Sequence, residues 1–391
     1  MKRVFLVLFA IMFMVMLGFG IIIPVLPYYA KSFGADSVTL GYLMAVYSVM
    51  NFLFAPVWGG VSDRIGRKPV LLIGLAGFAV SYFLFAMADE LWQLFATRIL
   101  AGALSAAALP TVMAYVADIT TPETRAKGMG MVGAAAGLGF IFGPAIGGTF
   151  SKFGSAVPFW IAGGLVVANF LFAALILKES VSAEQRKANA EKKEKAWTAF
   201  KPPLSYLYIM QFVVTLSLAG LEATFAYYAL DVFGANEFDM AMIFMIMGIA
   251  GAIVQGGLIG RLTKAFGEAR VIQIGLVVSL IGFLLITQVN SFATAAIYLT
   301  IFGMGNGMIR PAVSALVSRK TEAGQGSSMG LIGSMDSLGR IAGPVVGGFL
   351  YKMGITFPYF AGAGISLAAI VMFFSYQRME RRYSLKNAFS E

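Results

Sequence analysis

Five ionisable side chains sit inside long apolar runs of this chain: Glu222, Asp336, Arg98, Arg310 and Arg340. A charge placed in hydrocarbon is costly and marks function by default. Of the 19 Asp and Glu, only Glu222 and Asp336 lie well inside such runs. Burial disfavours an ionised carboxyl. Such a group can therefore exchange a proton, and when ionised it can attract a cation. The competing reading is a static ion pair. Asp336 has a partner for that at helical spacing, Arg340 at i+4, and a second in Arg310. Glu222 has no partner near it in sequence and is the preferred proton carrier. Arg98 lies eight residues after Glu90. Its stem could carry part of the charge outward, yet the embedded position still points to function.

The chain has no His and no Cys. That excludes disulfides, thiolate or imidazole metal sites, and thiol or imidazole catalysis. Proton chemistry falls to carboxylates, with Arg and Lys as counter-charges. No cofactor, no metal and no enzymatic activity are expected. The net charge of +10 would suit nucleic acid. Composition argues for a membrane instead: 59% of residues are hydrophobic and 12% charged, against about 25% charged in a soluble domain. Residues 1–16 resemble a signal peptide, but the apolar run continues to Tyr29. That is long enough to cross a bilayer, so it reads as the first membrane helix.

These residues need apolar elements to carry them. Segments of about 20 apolar residues that can span occur at 4–29, 40–60, 69–88, 91–117, 128–150, 158–177, 203–230, 240–262, 270–289, 293–317, 326–351 and 357–377. The expected fold is all-α, with twelve transmembrane helices and both termini on one side. That side collects Lys2, Arg3, Arg64, Arg67, Lys68, Arg125, Lys127, seven residues of the central loop, Arg261, Lys264, Arg270, Arg319, Lys320 and four in the tail. It holds 23 of the 29 Lys and Arg, against three (Lys31, Lys152, Lys352) on the other side. The bias puts the termini in the cytoplasm.

The longest polar stretch reads as a cytoplasmic linker over 178–202. It separates six-helix bundles over 1–177 and 203–377, with a cytoplasmic tail over 378–391. Repeats support the halves. Gly139-Phe-Ile-Phe-Gly143-Pro144-Ala-Ile-Gly147-Gly148 recurs 200 positions later as Gly339-Arg340-Ile-Ala-Gly343-Pro344-Val-Val-Gly347-Gly348. Gly59-Gly60-Val-Ser-Asp63-Arg64 is echoed by Gly256-Gly257-Leu-Ile-Gly260-Arg261 at an offset of 197. Gly102 and Pro110 are echoed by Gly303 and Pro311 at an offset of 201. Transporters built from such halves bind substrate near the midplane.

The glycines of the first repeat fall on one helix face, where they let backbones approach closely; Pro permits a kink. Packing alone would explain one copy. Gly59-Gly-Val-Ser-Asp63-Arg64-Ile-Gly66-Arg67-Lys68 forms a tight, charged turn between the second and third spans. An acid among three bases suggests an ionic latch rather than a simple basic loop. Aromatic and Met side chains are abundant, with 34 Phe, 15 Tyr and 22 Met. Most must face lipid or pack helices, and a subset would line a deformable apolar pocket. Tyr47, Asn51, Phe140, Phe225 and Tyr228 are the candidates, because they share helices or levels with the motifs.

Together these landmarks resemble the major facilitator superfamily, and within it the twelve-helix drug:proton antiporters of Gram-positive multidrug efflux. GxxxGPxxGG in the fifth span is similar to the antiporter motif of that family, here Gly139, Gly143, Pro144, Gly147 and Gly148. The loop motif resembles GxLaDrxGrk, and the resemblance makes Asp63, Arg64, Gly66, Arg67, Asp118 and Arg125 a conformational latch. Leu94-Phe-Ala-Thr-Arg98-Ile-Leu-Ala-Gly102 resembles the fourth-helix motif, which gives its Arg a part in proton coupling. Leu17-Gly18-Phe-Gly20-Ile-Ile-Ile-Pro24-Val-Leu-Pro27 resembles the first-helix motif. Leu221-Glu222-Ala-Thr-Phe225 and Met308-Ile309-Arg310-Pro311-Ala312 match further, which implies that Glu222 and Arg310 line the cavity. Members of that group often carry an acid just before Met-Ile-Arg-Pro; here it is Gly307. Asp336 and Arg340 stand in a helix that is usually uncharged, so the second carboxylate has moved.

The resemblance implies proton-driven export of hydrophobic, often cationic compounds by alternating access, and antibiotic resistance. The expected site is Glu222, Asp336 and Arg98 for protons, with Tyr47, Asn51, Phe140, Glu222, Phe225, Tyr228, Arg310 and Arg340 for substrate. Small molecules, protons and membrane lipids are the expected partners, with no nucleic acid, and a monomer in the cell membrane is the expected state. An exporter or flippase of the same fold for one metabolite, sugar or lipid is the alternative.

Overall fold

Capping residues and glycines set where the apolar runs begin and end as helices. Asp36 opens one by accepting from the Thr39 N–H at 2.8 Å, as an N-cap should. Ser291 opens another by accepting from the Thr294 N–H at 3.4 Å. Gly66 and Gly234 end helices with φ of 111° and 71°, conformations that glycine adopts without strain. The structure is a computed structural model that describes residues 2–180, 200, 203–321 and 325–388. Most of the linker expected over 178–202, and the last residues of the tail, lie outside the described residues.

The described residues are helical, without a strand. In order they form α1 (Lys2–Ser32), α2 (Ser37–Ile65), α3 (Arg67–Ala86), α4 (Leu91–Ser105), α5 (Ala108–Ile119), α6 (Pro122–Ser151), α7 (Val157–Ile176), α8 (Ser205–Phe233), α9 (Glu237–Ile253), α10 (Ile259–Ile286), α11 (Phe292–Lys320), α12 (Gln325–Met353) and α13 (Phe357–Ala388). A π-helical turn, Val254–Leu258, joins α9 to α10.

Ten stretches among the described residues are long and apolar enough to cross a membrane. Leu91–Ile119 is one of them, although the helix breaks at Ala106 and Ala107. Pro110 has no N–H to offer, and its ring crowds the carbonyl one turn earlier. Glu237–Ile286 is 50 residues long and holds two passes, separated at Gly267 with φ 77° and ψ 158°. The remaining pass is α12, whose embedded Asp336 and Arg340 dilute its apolar character. Twelve passes result among the described residues, as the sequence predicts.

The chain divides into two compact units. The first is Met1–Lys193 with Ala235–Met245; the second is Glu194–Gly234 with Ile246–Glu391. The opening of α9 therefore packs within the first unit, where the Tyr28 hydroxyl donates to the Ala235 carbonyl at 2.9 Å.

Each unit contains one copy of the Gly-Pro segment, packed against an earlier helix. In the first, Gly139, Gly143 and Gly147 of α6 lie against α1: a Cβ at Gly143 would sit 2.5 Å from the Leu17 carbonyl oxygen. In the second, Gly339, Gly343 and Gly347 of α12 lie against α8, and a Cβ at Gly343 would collide with the Leu216 carbonyl. The backbone groups met on α1 are those of Phe13, Leu17 and Ile21; on α8 they are Phe212, Leu216 and Gly220. This close backbone approach is what small residues at i and i+4 allow.

Candidate functional site

The same register places a polar cluster in the second unit. On α8, Gln211, Thr215 and Glu222 share a face, since they are spaced by one and then about two helical turns. On α12, Asp336 and Arg340 are one turn apart, and Arg310 comes from α11. Asp336 has both oxygens engaged. Oδ1 accepts from Gln211 Nε2 at 2.6 Å and from the Thr215 hydroxyl at 2.5 Å. Oδ2 forms an ion pair with Arg310 Nη2. This is a charge-assisted network with three donors on one carboxylate.

Glu222 is different. It is 2% exposed, yet its nearest charge is Arg340, whose Nη1 lies 3.5 Å from Oε2. That distance is at the outer limit of a hydrogen bond. Oε1 is buried and has no hydrogen-bond partner among the described residues. A buried ionised carboxylate so poorly satisfied is expensive, which suits a group that spends part of a cycle protonated.

Of the two arginines the sequence offers Asp336, Arg340 at i+4 and Arg310, these contacts select Arg310. Arg310 pairs with Asp336 and Arg340 with Glu222. Helical spacing turns Asp336 and Arg340 to one face, and that face meets partners on two other helices. Gln211 and Thr215 were not singled out from sequence, because a neutral polar residue in an apolar helix carries no charge signal. Their spacing on the face of Glu222 was the signal available.

Phe225 and Tyr228, expected to line a cavity, are 0% and 2% exposed. Both rings pack on Tyr359, with centroids 6.3 and 4.9 Å away. They are core residues of the second unit here. In the first unit, Arg98 is 3% exposed and lies over the Tyr47 ring, 4.7 Å from its centroid. Tyr47 shares a hydrogen bond with Ser105 at 2.9 Å, and Phe19 bridges Tyr47 and Phe140 with centroids 6.2 and 6.3 Å away. Asn51 is half-buried one turn after Tyr47 on α2. Arg98 forms no ion pair among the described residues, and its Nη1 is buried without a hydrogen bond. Tyr47, Phe140 and Arg98 thus belong to one neighbourhood, and Glu222, Asp336, Arg310 and Arg340 to another.

The latch residues converge on Arg67, which is 6% exposed. Arg67 pairs with Asp63 at 2.6 Å and Asp118 at 3.1 Å, and donates to the Ser62 hydroxyl at 2.6 Å. Gly66 supplies the φ of 111° that starts α3. Arg64 and Arg125 are exposed, and Arg125 makes no ion pair among the described residues. Glu179 was read only as part of the linker. Its carboxylate accepts the N–H groups of Arg67 and Lys68 at 2.8 and 3.2 Å, where the first turn of a helix favours an anion. Ser180 adds a hydrogen bond to Asp118 at 2.9 Å.

The second unit repeats this device with the charges reversed. Gly267, with φ of 77°, takes the place of Gly66. Glu268 follows it where Arg67 follows Gly66, and pairs with Arg319 at 2.9 Å. Arg319 ends α11 much as Asp118 ends α5.

Two membrane units that repeat one packing device, one with a carboxylate–arginine cluster around the buried Glu222, define a transporter of the major facilitator type. Residues 8–263 and 207–391 match the Major Facilitator Superfamily, and the chain belongs to that family. It is 34% identical over 368 residues to "Multidrug resistance protein 2" of Bacillus subtilis, covering 92% of each chain. It is 30% identical to "Quinolone resistance protein NorA" of Staphylococcus aureus, covering 95% of each. The crystal structure of the human organic anion transporter MFSD10 superposes with a TM-score of 0.72 at 24% identity, over 95% of this chain and 99% of that one.

Proposed function

We propose that this protein is a proton-coupled antiporter that exports hydrophobic, often cationic drugs. The observation that carries the reading is Glu222: buried, with one oxygen unsatisfied and a single arginine at the limit of contact. Similarity to a multidrug resistance protein and to a quinolone resistance protein supports the substrate class.

Antiport requires that drug and proton exclude each other at a shared group. Ionised Glu222 offers its free oxygen to a cation; protonated Glu222 does not. On the cytoplasmic side the drug displaces the proton, and on the outer side a proton expels the drug. The protonated carrier then resets without an uncompensated buried charge. The excess of Lys and Arg on one side of the chain supports cytoplasmic termini in the cell membrane. Each transporter acts as a monomer in this reading. Tyr47, Asn51 and Phe140 offer aromatic and amide surface to substrate, and Arg98 holds Tyr47 in place. The Asp63–Arg67–Asp118 latch, with Arg64, Gly66 and Arg125, steadies one conformation of the cycle.

Glu222→Gln tests the reading in everted vesicles supplied with ethidium in the medium as probe, where export appears as accumulation in the lumen. Loss of pH-driven ethidium transport, with ethidium binding retained, is expected. Undiminished pH-driven transport by this variant would overturn it.

A further inference from the structure

Gln211 and Thr215 are not needed for the fold in the way their burial suggests. The glycine contacts align α1 with α8, and put Met12 and Met16 of α1 at the positions of Gln211 and Thr215. Ala136 of α6 likewise stands where Asp336 stands in α12. The first unit packs the same glycine device with apolar residues at all three places. The polar trio of the second unit therefore serves something other than packing.

We propose that Gln211 and Thr215 are positioning residues that keep Asp336 permanently ionised as the counter-ion of Arg310, so that Glu222 alone carries the proton. This rests on the antiport reading and deepens it by setting the stoichiometry at one proton per cycle. Both side chains present donors to the same oxygen, Gln211 Nε2 at 2.6 Å and Thr215 Oγ1 at 2.5 Å. A proton on that oxygen would have to displace one of them. The other oxygen is held by Arg310. Each donor to an ionised group favours that form. The charged groups around Asp336 are Arg310 from α11 and Arg340 on its own helix, with Glu222 of α8 beyond Arg340. No such set of donors reaches Glu222, whose Oε1 stays unsatisfied. The two carboxylates are thus sorted: one is clamped, the other free to titrate.

Infrared difference spectroscopy of the full chain in lipid, between about pH 8 and about pH 5, spans the range where shifted carboxyls titrate and reads protonated carboxyl groups directly. The wild type is expected to gain one carboxyl C=O band, lost in Glu222→Gln and kept in Asp336→Asn. The Gln211→Leu/Thr215→Val double variant is expected to gain a second band, which Asp336→Asn removes. Thr215→Ser, which keeps the hydroxyl donor, restores the single band when combined with native Gln211. A band in the wild type that disappears in Asp336→Asn would overturn the proposal, as would a double variant identical to the wild type. The spectra do not depend on transport. If ethidium efflux proves independent of Glu222 while the bands behave as stated, the antiport reading fails and the clamp stands.

Discussion

The α1–α6 and α8–α12 pairs use one packing device for two ends. In both, glycines one turn apart let two backbones touch, and the carbonyls they meet correspond residue for residue: Phe13, Leu17 and Ile21 against Phe212, Leu216 and Gly220. Around that shared frame the side chains diverge. Ile23 corresponds to Glu222, Ala136 to Asp336 and Phe140 to Arg340. The glycine frame is therefore structural in both units, and the charge is an addition to one of them. Relatives that share only the frame would share the fold without sharing the carboxylate–arginine cluster.

The largest expected effect separates the two pairs by function. Glu222→Gln should abolish pH-driven ethidium transport, whereas Ile23→Val, its counterpart in α1, should leave transport within about twofold, since a buried Ile→Val change costs only about 0.5–1.5 kcal/mol. Equal loss in both would mean that position matters for packing alone. The next effect should be the same in both pairs. Gly143→Val and Gly343→Val each drive a side chain into a backbone carbonyl, an overpacking cost of about 1–3 kcal/mol or more. Thermal unfolding in detergent should show a similar loss for each. A large effect in one copy and none in the other would break the equivalence.

The reversed latches give the smallest contrast. Arg67 is buried and satisfies Ser62, Asp63 and Asp118 together. Arg67→Ala should cost about 1–3 kcal/mol, because Ser62, Asp63 and Asp118 all lose a buried charged donor. Arg319, with a side chain 66% exposed, holds Glu268 alone among the described residues. Arg319→Ala should cost under about 1 kcal/mol, as exposed pairs do. Thermal unfolding of both variants measures the difference directly, and equal losses would remove the distinction.

The fold was legible because apolar length, glycine spacing and the Lys/Arg bias are each local properties. The break at Ala106 and Ala107 was not, since Pro311 at the corresponding place leaves α11 continuous. The same residue type gives different outcomes in different packing. The carboxylates were legible as embedded charges, but their partners were not. Asp336 meets Arg310, 26 residues away, and Glu222 meets Arg340, 118 residues away. No sequence period reports such contacts. Glu179 was hidden by the charged residues that follow it, although its role depends on a helix N-terminus rather than on its neighbours. Phe225 and Tyr228 were candidates because they share a helix with a motif residue, but on a helix buried nearly all round most side chains pack in the core.

The proposed exchange of one proton at Glu222 for one drug molecule has a direct thermodynamic readout. Ethidium carries one fixed positive charge, so one-for-one exchange moves no net charge. In proteoliposomes at equilibrium, the ethidium concentration ratio should rise about tenfold for each unit of imposed pH difference, and an imposed membrane potential should not change it. A rise of about a hundredfold per pH unit, or a ratio that follows the membrane potential, would contradict a single proton carried by Glu222.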